Sequence, residues 1–197
     1  MAPHFETVKS FADVKIIGDG VDTQDFLEAS DGLVKMFDLL GSGVFGFVQT
    51  DIRNNITGVK ERYKSHSFTS KTLENLVEGE AGEANRHGTA CLVRLVRGLA
   101  FTCQALQNMQ ADRSSELHVC FKRSYDAVLK HHHSFVVRSV VSVAIRAVPR
   151  RNDFYDRIAE GGSVEKLDTE LARWLQGLEK IVKRMSTFLR DGGHGRV

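Results

Sequence analysis

The sequence predicts an all-α protein, and three observations carry that expectation. Only two prolines, Pro3 and Pro149, occur in 197 residues, too few to punctuate a many-stranded sandwich but permissive of long uninterrupted helices. Apolar residues recur at steps of three and four through most of the chain, the period of an amphipathic helix. Composition is ordinary for a folded protein, 42% apolar and 26% charged, which excludes disordered and collagen-like classes. The length, with no internal repeat and no linker, favours a single domain over residues 1–197.

The elements follow in order. Residues 24–40 open after Asp22 and Thr23, either of which can cap free backbone N–H groups, and place Phe26, Leu27, Leu33, Val34, Phe37 and Leu40 at helical intervals. In residues 44–63, steps of about 100° put Val44, Val48, Ile52, Ile56 and Val59 on one stripe, and Asp51 and Asn55 fall within it. An acid is thereby expected to face the interior. A buried carboxylate without a partner is costly, so Asp51 must meet a cation, a set of donors or a polar ligand. A structural Asp held by a buried Arg and a ligand site both remain open.

Residues 88–109 carry Leu92, Leu95, Val96, Leu99, Cys103 and Leu106 on one face, and Ala90, Gly98, Phe101 and Ala105 around Arg94 on the other. A helix apolar on nearly all sides is a central one. Arg94 is expected to point into apolar surroundings, where its planar fork can take a carboxylate or a phosphate in two parallel hydrogen bonds. Arg97, about 60° further round, is expected to be solvated or structural. His131, His132 and His133 lie in a helix-like segment running to Pro149. Consecutive helical positions point in different directions, and no acid stands at i+3 or i+4, so no metal is expected there; one imidazole should face inward. Residues 163–189, with Val164, Leu167, Leu171, Trp174, Leu178, Ile181, Met185 and Phe188 at steps of three and four, form the closing helix and should bury Trp174.

The charge balance narrows the partners. With 27 basic and 25 acidic residues, a net charge of +2 and no Lys/Arg run, nucleic acid is not expected as a partner. Cys91, Cys103 and Cys120 sit among apolar neighbours without metal spacing, as buried thiols of a reducing compartment do. The first 15 residues lack the apolar core of a signal peptide, so a cytoplasmic location is expected. The apolar stretch 135–148 is broken by Arg138 and Arg146 and falls short of the roughly 18 residues that a membrane span requires. Contact with a membrane is expected only at its surface.

Taken together, these segments resemble the glycolipid transfer protein family. The run from Phe37 to Phe45, FDLLGSGVF, followed by Asp51-Ile-Arg-Asn-Asn55-Ile-Thr, is similar to that family's FDxLGSxVF and DxxxNIT signatures. The run from Leu95 to Phe101 matches its LxRGLxF helix, Lys130-His-His-His133-Ser-Phe135 the segment bearing its headgroup histidine, and the run from Ala147 to Phe154 its APYxxDF turn. The resemblance implies a two-layer helical sandwich without cofactor, holding ceramide chains in a dry internal pocket and moving single sphingolipids between membranes without chemistry. By the same resemblance, Asp51 accepts hydrogen bonds from the sphingoid amide or a sugar hydroxyl, Asn55 contacts the headgroup, and His133 donates to the ceramide carbonyl. Phe37, Phe45, Val48, Leu99 and Phe101 are expected on the apolar pocket, and Phe135, where the family often has a Trp, is either a membrane contact or an ordinary core residue.

Two departures bear on the headgroup. Sugar-binding members place a stacking Trp where this chain has Arg94, and a Lys where it has Gly58. The ceramide-1-phosphate branch has Arg at the position of Arg94, but replaces the Asn by Lys and adds a second Arg where this chain has Ala90. Arg94 is thus open to two roles, a phosphate fork or the structural partner of Asp51, and loss of both sugar contacts favours the first. A sphingolipid sensor or scaffold that does not transfer is the competing class. No activated nucleophile or metal set accompanies Asp51, Asn55 and His133, so an enzyme is not expected, and the chain is expected to act as a monomer.

Overall fold

The computed structural model describes residues 2–40 and 46–197. The expectations for Val44 and Phe45 lie outside the described residues. The fold is an all-α, two-layer helical sandwich. Its helices are α1 (His4–Thr7), α2 (Thr23–Leu40), α3 (Gly46–Ser65), α4 (Leu73–Gly79), α5 (His87–Ala111), α6 (Leu117–Val128), α7 (Phe135–Arg146), α8 (Arg151–Ala159) and α9 (Val164–Asp191). A small antiparallel hairpin, β1 (Ile16–Ile17) with β2 (Gly20–Val21), precedes α2.

Helix α5 is the axis of the fold, packing against α3, α6 and α9, while α1 and α8 pack on α9 and α2 packs on α3 and α8. Its 25 residues are long and apolar enough to cross a membrane by length and composition, unlike the shorter apolar stretch 135–148. Burial of Leu92, Val96, Leu99 and Leu106 with no exposed surface marks it instead as the core helix.

Local chemistry sets the helix ends. Asp22, rather than Thr23, caps α2, its Oδ1 accepting from the Asp25 N–H at 2.7 Å, while the Thr23 hydroxyl donates to the Ser70 carbonyl. Ser163 accepts from the Lys166 N–H and starts α9. Trp174 is 1% exposed and packs against Phe5 and Phe11, with ring centroids 5.2 and 5.1 Å away. Cys91, Cys103 and Cys120 are buried free thiols.

The histidine segment differs from expectation. Instead of one helix running to Pro149, the chain breaks into α6, a tight turn at Lys130–His132, and α7. Ser134 is the cause, since its hydroxyl accepts from the Val137 N–H and starts a new helix. The break places the histidines at a corner beside α5.

Candidate functional site: a polar-rimmed cavity on the central helix

A cavity of about 320 Å³ lies between α3, α5 and the α6–α7 corner. Val48 and Ile52 of α3, Phe101 of α5, and Leu129, Val137 and Val141 of the corner form its apolar wall. Asp51, Arg94, Arg97, His132 and His133 supply its polar rim. Gly98 of α5 also lines it, and a Cβ built there would meet no atom within 4 Å. A greasy throat with a few convergent polar groups suits a ligand with an apolar body and a polar head.

The side chains of this rim are arranged differently from the sequence expectation. Asp51 is exposed, not turned to the interior. The buried stripe of α3 runs through Gln49, Ile52, Asn55, Ile56, Val59 and Arg62, and Asp51 stands one 100° step from Ile52, at the cavity edge where water reaches its carboxylate. Asn55 is the buried polar group at 4% exposure. Its amide donates to the Asp51 carbonyl at 2.8 Å and to the Asp51 carboxylate at 3.3 Å, which fixes the acid's rotamer at the rim.

Arg94 likewise is exposed and not set in apolar surroundings. Among the described residues no ion pair joins it to Asp51, so the structural-partner role is not realised and its fork is left to the cavity. Arg97, expected to be solvated or structural, is half-buried on the cavity wall, with its Nε donating to the Arg196 carbonyl at 2.6 Å. Burial first, and the neighbouring Arg94 second, lower its pKa.

His133 faces the Tyr125 hydroxyl across 3.2 Å at Nδ1. Burial lowers its pKa against the opposing pull of Asp51, so the ring is neutral at neutral pH. When the Tyr125 hydroxyl donates to Nδ1, Nε2 carries the hydrogen and is a donor. His132 is half-buried as well, its pKa lowered by desolvation and then by Arg97, while His131 is exposed; two rings therefore turn inward, where one was expected.

Of the expected apolar pocket residues, Val48 and Phe101 line the cavity. Phe37 and Leu99 are instead buried in the packed core. Phe135 is 82% exposed, which overturns its reading as a core residue, and Val136, Val140 and Val143 are exposed with it on α7. Gly58 is buried where α3 crosses α5: a Cβ there would overlap the Cys91 sulfur and stand 3.0 Å from Cys91 Cβ and 3.1 Å from His87 Nε2. The position left open for a sugar-binding Lys is therefore closed by helix packing. Sequence reasoning missed Arg97 and His132, although the RGL motif contains the first and the histidine run the second.

The profile of the family described as "Glycolipid transfer protein (GLTP)" matches residues 21–160. The chain belongs to this family. A glycolipid transfer protein of Aureobasidium melanogenum is 38% identical over 186 residues, covering 94% of this chain and 92% of the relative. The crystal structure of HET-C2, a fungal glycolipid transfer protein, superposes with a TM-score of 0.89 at 38% identity, covering 95% of this chain and 96% of the other. The structure of FAPP2, described as selecting simple glycosphingolipids using the GLTP fold, superposes with a TM-score of 0.88 at 27% identity, covering 98% of this chain and 97% of the other. In this chain the histidine corner and the central α5 meet at the cavity.

Proposed function

We propose that this protein moves single sphingolipids between membranes from a cytoplasmic pool, as one domain and without chemistry on the lipid. The observation that carries the reading is the 320 Å³ cavity with its apolar wall and its rim of Asp51, Arg94, Arg97 and His133. Asp51, set by Asn55, accepts from the ceramide amide or a headgroup hydroxyl, and neutral His133 donates to the ceramide carbonyl. The cavity is at the small end of ligand pockets, so two long chains enter by parting the side chains of its apolar wall.

Two guanidiniums against one carboxylate on the rim favour a phosphate headgroup, that of ceramide-1-phosphate. Replacing Arg94 by Leu is expected to lower ceramide-1-phosphate transfer roughly ten- to a hundredfold, the equivalent of one charge-assisted hydrogen bond of about 1.5–3 kcal/mol, and to change galactosylceramide transfer little. The second reading, a glycosphingolipid cargo, is favoured by the 38% identical glycolipid transfer protein of Aureobasidium melanogenum; equal loss of both lipids in that variant supports it.

Asp51→Val tests the site itself. Because Asp51 is exposed, the substitution should move stability by no more than about 0.5 kcal/mol and yet abolish transfer; normal vesicle-to-vesicle transfer by the Asp51→Val variant defeats the assignment.

The exposed row of Phe135, Val136, Val140 and Val143 on α7 is the face proposed to meet the membrane surface, since Val137 and Val141 of the same helix line the cavity and a lipid leaving it passes that edge. Phe135→Ala should leave the melting temperature unchanged and weaken partition onto vesicles about tenfold, a Phe being worth about 1.5–3 kcal/mol when taken out of water. Unfolding by this substitution, with vesicle binding intact in the folded fraction, would return Phe135 to the core.

A further inference from the structure

The segment after α9 folds back onto α5. Gly193, at φ 68, turns the chain, and the His194 and Gly195 N–H groups both donate to the Leu189 carbonyl, at 2.8 and 3.2 Å. The His194 ring stacks on Phe188 with centroids 5.6 Å apart, and its Nδ1 lies 2.7 Å from Arg86 Nη2, a donor in every protonation state. Gly195 passes so close to α5 that a Cβ would stand 2.8 Å from a Val93 methyl. The segment ends this path with the Arg196 carbonyl accepting from Arg97 Nε. Val93 and Arg97 are four residues apart on α5, and Arg86 is the residue that precedes its first turn, so the segment runs along one side of the helix from its N-terminus.

That contact opposes a definite tendency of Arg97. Beside Arg94, and half-buried, its guanidinium is driven toward water by like charge and by desolvation. The carbonyl uses the one donor that lies at the base of the fork, and among the described residues neither terminal nitrogen of Arg97, which lines the cavity, makes a hydrogen bond.

We infer that residues 194–196 are a positioning element of the lipid site, latched to α5 through Arg86 and His194, which holds Arg97 on the cavity wall so that its fork meets the lipid headgroup. The inference rests on the lipid-transfer reading above and adds Arg97 and the folded-back segment to it.

Two arms test it. In Arg97→Gln the clamp is lost, so hydrogen exchange at the His194 and Gly195 amides should accelerate several-fold while the amides of α9 keep their protection; unchanged exchange overturns the clamp, with no lipid involved. In His194→Ala the latch is lost, and transfer of ceramide-1-phosphate between phosphatidylcholine vesicles should fall about threefold to tenfold at an unchanged melting temperature. His194→Asn, which keeps an acceptor for Arg86, should recover most of that loss. The His194→Ala effect should vanish in the Arg97→Gln background, because the latch acts on transfer only through the Arg97 guanidinium that the second substitution removes. An equal loss in that background, or none in His194→Ala alone, overturns the positioning role. Wild-type protein that moves no ceramide-1-phosphate and no galactosylceramide overturns the lipid reading and the headgroup role together, whereas an intact exchange result then marks the fault as lying in the cargo.

Discussion

Gly98→Phe is expected to abolish transfer of every sphingolipid from a protein that remains folded. A side chain on this face of α5 points into the cavity, and no atom lies within 4 Å of the first carbon it would add. The ring therefore occupies space that the lipid needs, on the same cavity lining as Phe101 and the two arginines of the rim. Helix propensity works in the same direction, since an interior Gly costs about 1 kcal/mol relative to Ala. Gly98→Ala is the control: it should raise the melting temperature by about 2–4 °C, the shift that 1 kcal/mol produces in a chain of this size, and leave most transfer in place. A Phe variant that unfolds leaves the Ala variant and intermediate sizes to trace the loss of transfer against added volume, and transfer that is independent of that volume contradicts the assignment of the cavity.

Gly58→Lys is expected to have the largest effect on stability. Here the two helices touch: the new Cβ would overlap the Cys91 sulfur, and overpacking of this kind costs about 1–3 kcal/mol before the ammonium is considered. The Lys must also bring its charge past a buried contact. A total near 3 kcal/mol predicts a fall in melting temperature of about 6–12 °C. Cys91→Ala in the same chain should recover part of it by removing the sulfur, a coupling that a double-mutant cycle measures. The substitution cannot be used to install a sugar-binding lysine, because α3 and α5 would have to separate first, and Asn55, one turn earlier in α3, would move with them.

How far the fold can be read in the sequence depends on how strongly a segment repeats. Helix α9 is legible to within two residues because its apolar positions never leave one stripe and Ser163 caps it. Asp51 was legible as a site candidate but not in its exposure. The polar Gln49 and Arg62 occupy buried positions on α3, so apolar residues alone place the centre of the stripe one step off and turn Asp51 inward. The α6–α7 break carried a usable signal in Ser134, which an apolar run immediately follows. Helix α4 and the β1–β2 hairpin had none that periodicity detects, being short and held by distant partners such as Glu74, which accepts from the Val21 N–H at 2.7 Å. Arg97 escaped for the same reason: its partner lies 99 positions away in a glycine-rich segment, and no local pattern announces that contact.

The measurement that bears most directly on the account is transfer of ceramide-1-phosphate and galactosylceramide, present together in one population of donor vesicles, to acceptor vesicles in the presence of the purified protein. Protein-dependent transfer is expected, in which ceramide-1-phosphate moves faster and the preference is lost in Arg94→Leu. Transfer of neither lipid above the protein-free rate would contradict it.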